Sequence, residues 1–167
     1  MIGELTSVEI EALLRNQWVA RLGLHTENVT YVVPISYVYD GDAIYAHSAG
    51  GRKLDMLRAN GRVCVEVDHI VDVANWQSVI AWGRFEELHG TPAISALHLL
   101  VQRFTPLMTS EVSTPTHGME MMEHPGHASQ HDASVFRIVL ETKSGRFERP
   151  EPVAMLTPRS SARIGGM

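Results

Sequence analysis

Apolar residues at Ile10, Leu13, Leu14 and Trp18 recur at helical spacing behind Thr6-Ser7-Val8-Glu9. A threonine followed three positions later by a glutamate is a capping box, in which each side chain satisfies an amide of the first turn, so a short amphipathic helix is predicted here. The period then changes. Residues 19–25 and 29–39 are rich in β-branched and aromatic types on either side of the turn-like Thr26-Glu27-Asn28, which predicts paired strands. Asp40-Gly41 tolerates positive φ and folds the second strand back into a third over 43–47. After Ser48-Ala49-Gly50-Gly51 a short helix over 52–59 is ended by Asn60-Gly61, and strands follow over 63–68 and 76–88. Thr91-Pro92 opens a helix bearing Ile94, Leu97, Leu100, Val101 and Phe104 that ends near Thr105-Pro106. Residues 107–133 lose all periodicity, which reads as a long loop, and 135–142 return as a strand. From Ser144 onward three prolines and a terminal Ile-Gly-Gly-Met predict an extended or disordered tail.

About six strands joined by hairpins, with few and short helices, predict a mainly β fold, an antiparallel barrel rather than a doubly wound sheet. The chain of 167 residues suits one domain, 1–143, followed by the tail 144–167. A net charge of −5 offers no cationic face for nucleic acid. Cys64 is the only cysteine, so no intrachain disulfide forms, and its place in Val63-Cys64-Val65 suggests an inert thiol. No run reaches the roughly 18 apolar residues of a membrane span, and Met1-Ile2-Gly3-Glu4-Leu5 has neither a basic nor an apolar targeting region. A cytoplasmic protein without membrane partners is expected.

Three segments carry candidate chemistry. His47-Ser48-Ala49-Gly50-Gly51-Arg52-Lys53 joins a strand end to a helix start. Two glycines let backbone N–H groups converge on an anion, the helix terminus adds partial positive charge, and Arg52 and Lys53 add full charges. A phosphate monoester suits such a site, although the same text also fits a solvated loop before a basic pair. Pro34 interrupts an otherwise strong strand, which places it at a sheet edge or bulge where a ligand can approach the backbone. Trp76-Gln77-Ser78 opens a strand; Gln77 and Ser78 point to opposite faces, so one at most lines a given pocket by its side chain.

Taken in order, Val32-Val33-Pro34-Ile35, Ile44-Tyr45-Ala46-His47-Ser48, Gly51-Arg52-Lys53-Leu54-Asp55-Met56-Leu57, Asn60-Gly61-Arg62-Val63-Cys64-Val65-Glu66-Val67-Asp68 and Trp76-Gln77-Ser78-Val79-Ile80-Ala81-Trp82-Gly83-Arg84 resemble the pyridoxamine-phosphate-oxidase-like flavoproteins, and among them the nitroimidazole-resistance-protein-like branch. The series covers about residues 18–105, with Val135-Phe136-Arg137-Ile138 as a weaker final match. The resemblance implies a six-stranded antiparallel split β-barrel that forms a homodimer with FMN at the subunit interface. It implies that Arg52 and Lys53 hold the phosphate with His47 and Ser48 beside them. Val33, Pro34, Ile35 and Ser36 would run past the isoalloxazine, and Gln77 and Ser78 would contact the flavin. The implied reaction is reduction of a small electron-poor acceptor such as a nitro compound, with NADH, NADPH or a reduced deazaflavin as candidate donors. Authentic pyridoxamine-phosphate oxidases end in an Arg-Leu-x-Pro motif, whereas this chain reads Leu156-Thr157-Pro158 without the matching arginine. Vitamin B6 oxidation is therefore disfavoured. No residue is singled out as catalytic, and a non-catalytic flavin or haem binding protein is the alternative.

The stretch from His117 to Asp132 concentrates histidines, acids and methionines, which are metal-ligand types. Pro125-Gly126 breaks any helix that would align His124 with later ligands, so a polar loop is expected and no metal site is assigned. Should haem be the ligand, His25, His47, His69 and the histidines of the loop are candidates, with no spacing that selects one of them.

Overall fold

The computed structural model describes residues 1–107 and 134–150. Its elements are β1 (Ile2–Glu4), α1 (Ser7–Asn16), β2 (Val19–Thr26), β3 (Val29–Ser36), β4 (Val38–Tyr39), β5 (Ala43–Ser48), α2 (Arg52–Ala59), β6 (Arg62–Asp72), β7 (Asn75–Leu88), α3 (Thr91–Phe104) and β8 (Ser134–Glu148). All described pairings are antiparallel and make one eight-stranded sheet in the order β3-β2-β6-β7-β8-β5-β4, with β1 added to β8. The expected mainly β, split-barrel arrangement is borne out. The count rises from six to eight because the predicted strand 29–39 breaks at Tyr37 and because β1 is three residues long, too short for a period to show. No described helix is long and apolar enough to cross a membrane. The long loop falls almost wholly outside the described residues.

Three local readings hold for physical reasons, whereas Thr91 is not the N-cap that the sequence suggests: Gly90 takes that place with a positive φ, and Thr91 is the first residue of α3. Thr6 accepts from the Glu9 amide while the Glu9 carboxylate accepts from the Thr6 amide at 2.8 Å, the predicted capping box. Glu27 and Asn28 take φ values of 49° and 60°, the left-handed pair that a two-residue hairpin between β2 and β3 requires. Asp40 Oδ1 accepts from the amides of Asp42 and Ala43 and closes the β4–β5 turn.

Strands β7 and β8 form the spine, and their ladder carries one irregularity. Trp82 pairs with Thr142 but Gly83 pairs with Leu140, which leaves Glu141 as the extra residue of a bulge. The bulge inverts the alternation along β8. Phe136, Ile138 and Leu140 face the core before it, whereas Gly145 and Phe147 do so after it. It also corrects the predicted boundary: β8 runs to Glu148 rather than stopping at Thr142, so 144–148 belong to the sheet and not to the tail. A period-2 reading stops where the phase slips by one residue.

Each half of the spine holds different partners. The first half of β8 pairs with β5, and the second with β1. Helix α1 closes one side of the core through Ile10, Leu13 and Leu14, and the chain from β3 to β4 is pinned there by Tyr37. Tyr37 is fully buried, its amide donates to the Trp18 carbonyl and its hydroxyl to the Leu14 carbonyl at 2.7 Å. Burial raises the Tyr37 phenol above its usual pKa, so it remains a donor. Helix α3 reaches back with Arg103, whose guanidinium lies 4.2 Å over Trp18 and donates to the carbonyls of Arg15 and Gln17 at the end of α1.

At Gly83 a Cβ would stand 2.3 Å from the Val139 carbonyl oxygen, a backbone atom with no freedom to withdraw. Gly83→Ala is therefore expected to lower stability by about 3 kcal/mol, read as a shift of the urea midpoint, and a change under about 0.5 kcal/mol would show that the ladder relaxes around it.

Candidate functional site

The loop from Ser48 to Gly51 leaves the end of β5 and starts α2. Gly50 and Gly51 have φ values of 100° and 87°, a conformation that side-chain-bearing residues adopt with strain. Nothing lies within 4 Å of where a Gly51 Cβ would be, so backbone conformation rather than crowding demands glycine. Gly51 is the N-cap of α2 and supplies no side chain to cap it; its carbonyl accepts from the Leu54 and Asp55 amides, which leaves those of Arg52 and Lys53 to a bound group. The Ser48 side chain is buried and its hydroxyl donates to the Gly50 carbonyl at 3.3 Å, bracing the loop. His47 precedes it on β5, opposite Val135.

Arg52 and Lys53 open α2. Several other cations meet acids: Arg21 meets Glu66 and Asp68, Arg84 meets Glu141, Arg137 meets Glu86 and Lys143 meets Glu11. No described carboxylate pairs with Arg52 or Lys53. Arg52 is exposed, with its guanidinium 5.2 Å from the ring centroid of Tyr31 on β3. Lys53 is partly buried and its ammonium is pushed below the usual lysine pKa by that burial alone. An anion beside it would reverse the push. Two positive charges at an uncapped helix start make a site that favours a negatively charged group.

Helix α2 is held rigidly enough to aim these groups. Leu54, Met56 and Leu57 are buried in the core. At the far end the Arg58 guanidinium donates twice to Glu87 on β7, at 3.0 and 2.7 Å. Asn60 donates to the His25 carbonyl at 2.9 Å and accepts from the Arg62 amide.

The predicted residues divide into two groups. Strand β3 is an edge of the sheet, paired only with β2 among the described strands, and Pro34 lies on it as expected of a residue without an N–H. Tyr31 beside Arg52 places the phosphate-favouring end next to the start of this edge, with Val33, Pro34, Ile35 and Ser36 leading away from it. Pro34 and Ser36 are exposed, whereas Val33 packs against the core and Ile35 is 4% exposed, so the latter two offer a ligand backbone rather than side chain. Gln77 and Ser78 lie elsewhere, three strands inward on β7, where they pair with His69 and Asp68. The Ser78 hydroxyl donates to Glu66 at 2.9 Å, and Glu66 also accepts from Arg21. Ser36 and Ser78 fall toward the same end of the sheet, away from the hairpin that Tyr31 adjoins.

Of the histidines, His25 ends β2 with Nδ1 3.1 Å from Thr30 Oγ1, and His69 lies toward the opposite end of the sheet on β6. The structure does not gather them. Cys64 faces out of the core beside Val32 and Glu66, and burial with the Glu66 charge raises its thiol above the usual value, in keeping with an inert cysteine. Two residues at this site were missed by sequence reading, Tyr31 and Glu87. Tyr31 could have been suspected from an aromatic three positions before the edge proline, but Glu87 carries no local signal, since its partner is 29 positions away.

Comparisons with known proteins bear on the family and the fold. The chain matches the family model described as pyridoxamine 5'-phosphate oxidase over residues 6–147. An uncharacterized protein of Rhizobium meliloti is 35% identical over 72 residues, 43% of this chain and 48% of the relative, so the match spans about half the length of that curated relative. Among solved structures, an FAD-binding protein from Mesorhizobium loti superposes with a TM-score of 0.70 at 28% identity, covering 89% of this chain and 99% of the other. A protein assigned to 5-nitroimidazole antibiotic resistance in Bacteroides thetaiotaomicron gives 0.64 at 17% identity, with 88% and 87% covered. An FAD and haem binding protein from Mycobacterium smegmatis gives 0.64 at 18% identity, with 90% and 75% covered. The last two share the fold.

The Arg58 guanidinium holds the Glu87 carboxyl down at about 2 against an ordinary 4.5. A carboxyl depressed on folding stabilises the protein above its unfolded value, and that stabilisation is lost as pH falls from about 4.5 towards about 2. The Arg58 side chain is 39% exposed, so solvent screening limits the effect to about 1 kcal/mol. Glu87→Gln should flatten this acid limb in pH-dependent urea melts, and an unaltered limb would show that the pair contributes nothing to it.

Proposed function

The chain belongs to the pyridoxamine 5'-phosphate oxidase family, and from that membership we propose that it is an FMN-binding flavoprotein which reduces a small electron-poor acceptor. The observation that carries this reading is the pair Arg52 and Lys53, cations without a described acid partner at a glycine-lined helix start. A terminal phosphate supplies the missing negative charge, and its oxygens match the forked donors of arginine. The name of the Mesorhizobium loti relative supports a flavin in particular.

Arg52, Lys53 and the first amides of α2 would hold the phosphate, with His47 and Ser48 bracing the loop behind it. From Tyr31 to Ser36 the edge strand runs about 17 Å, long enough to accompany the ribityl chain and the ring with its unpaired backbone groups. Bound flavin supplies hydride chemistry, and the chain supplies binding, orientation and electrostatics. The separation of Gln77 and Ser78 from Arg52 within one copy supports a homodimer whose second copy contributes them. The missing arginine before Pro158 argues against vitamin B6 oxidation, and the Bacteroides structural relative supports nitro compounds as an acceptor class by analogy of fold. NADH, NADPH or a reduced deazaflavin would serve as donor, and a single unpaired cysteine suits the cytoplasm.

Protein purified without added cofactor should show flavin absorption bands, and a Soret band in their absence would overturn the assignment. Arg52→Ala with Lys53→Ala should weaken FMN at least about tenfold while changing riboflavin little; equal losses would show that the pair does not read phosphate. Anaerobic mixing of the loaded protein with each donor should bleach the flavin at a catalytic rate. An unchanged spectrum with every donor would instead make it a flavin carrier or sensor.

A further inference from the structure

An arginine has two ways to be held, by the edge of its guanidinium plane, where its N–H donors point, and by its face. Arg58 is held by the edge, with Nε and one terminal nitrogen taken up by Glu87. Arg52 instead meets a ring, with its guanidinium carbon 5.2 Å from the Tyr31 centroid, and its donors have no described acceptor. Arg103 shows in this same chain that a ring contact and donation combine: its guanidinium carbon lies 4.2 Å from the Trp18 centroid while one terminal nitrogen donates to the Arg15 and Gln17 carbonyls at 2.8 and 2.6 Å. Tyr31 is itself anchored, since it is partly buried and packs against the core from a strand paired in register with β2.

We infer that Tyr31 is a positioning residue for the anion site, stacking on Arg52 so that the guanidinium edge stays free and aimed at the phosphate. This rests on the reading of Arg52 as a phosphate ligand. The physical advantage is entropic. A long side chain at the start of a helix, beside a glycine loop, loses rotamer freedom when it grips a ligand, and a ring that already confines it reduces that loss. A carboxylate in the place of Tyr31 would confine Arg52 as well, but would occupy the donors that the ligand needs and repel the phosphate.

The test measures FMN and riboflavin affinities for the full-length protein by flavin fluorescence. Tyr31→Leu should weaken FMN about fivefold and move riboflavin less than about twofold, and Tyr31→Phe, which keeps the ring face, should restore FMN binding. On an Arg52→Ala background Tyr31→Leu should bring no further loss, because the ring acts only through Arg52. Equal weakening of both ligands would mark Tyr31 as merely structural and overturn the inference, as would a full additional loss on the Arg52→Ala background. Should Tyr31→Leu fail to fold, the comparison rests on Tyr31→Phe and Arg52→Lys. Replacing the planar group by an ammonium should then cost FMN more than riboflavin, and equal costs would overturn the inference. If Arg52→Ala leaves FMN affinity intact, the phosphate reading falls too; if only the Tyr31 variants are silent, that reading survives without this one.

Discussion

The close approach of β7 and β8 at Gly83 governs the rest of the molecule. Two long strands cannot serve both sides of a split sheet unless they bend, and here the bend is one extra residue on β8 at Glu141, facing a glycine on β7. The Val139 carbonyl lies so near Gly83 that no side chain fits. Because of this bulge the spine offers one half to β5 and the other to β1, while core-facing residues stay inward on both sides of the bend. The loop that leaves β5 therefore begins opposite the start of β8, and α2 crosses from there to pack near β2.

That path sets the electrostatics of the site. Along the sheet surface Arg21, Arg84 and Arg137 pair with acids on neighbouring strands. Helix α2 leaves the sheet at its start, so Arg52 and Lys53 escape this pairing, whereas Arg58, one helix length later, returns to β7 and meets Glu87. The same helix thus carries a satisfied cation at one end and unsatisfied ones at the other. The partly buried Lys53 shows the consequence most plainly, since burial pushes its ammonium below the usual lysine pKa.

Much of this was legible in the chain because the relevant physics is local. A capping box, a hairpin turn at Glu27-Asn28, an Asp-Gly turn and a proline that belongs on an edge each depend on a few adjacent residues, and each is found where the text places it. The glycine-rich loop before two basic residues is equally local. What escaped involves distance. Glu87 meets Arg58 across 29 positions, and the continuation of β8 past Thr142 was hidden by a phase slip that makes sense only opposite Gly83.

By itself the sequence determined the class of fold and the place of the anion-favouring loop, since alternation, turn chemistry and helix-terminus chemistry are properties of short segments. Only the tertiary structure decided which candidates could act together. It set Val33, Pro34, Ile35 and Ser36 on an edge strand that starts beside Arg52, turned the Ile35 side chain into the core, and put Gln77 and Ser78 three strands away with Ser78 bonded to Glu66. It also placed Tyr31 under the Arg52 guanidinium. The physical reason is that strand order and register bring together residues far apart along the chain, and no segment carries that order within itself.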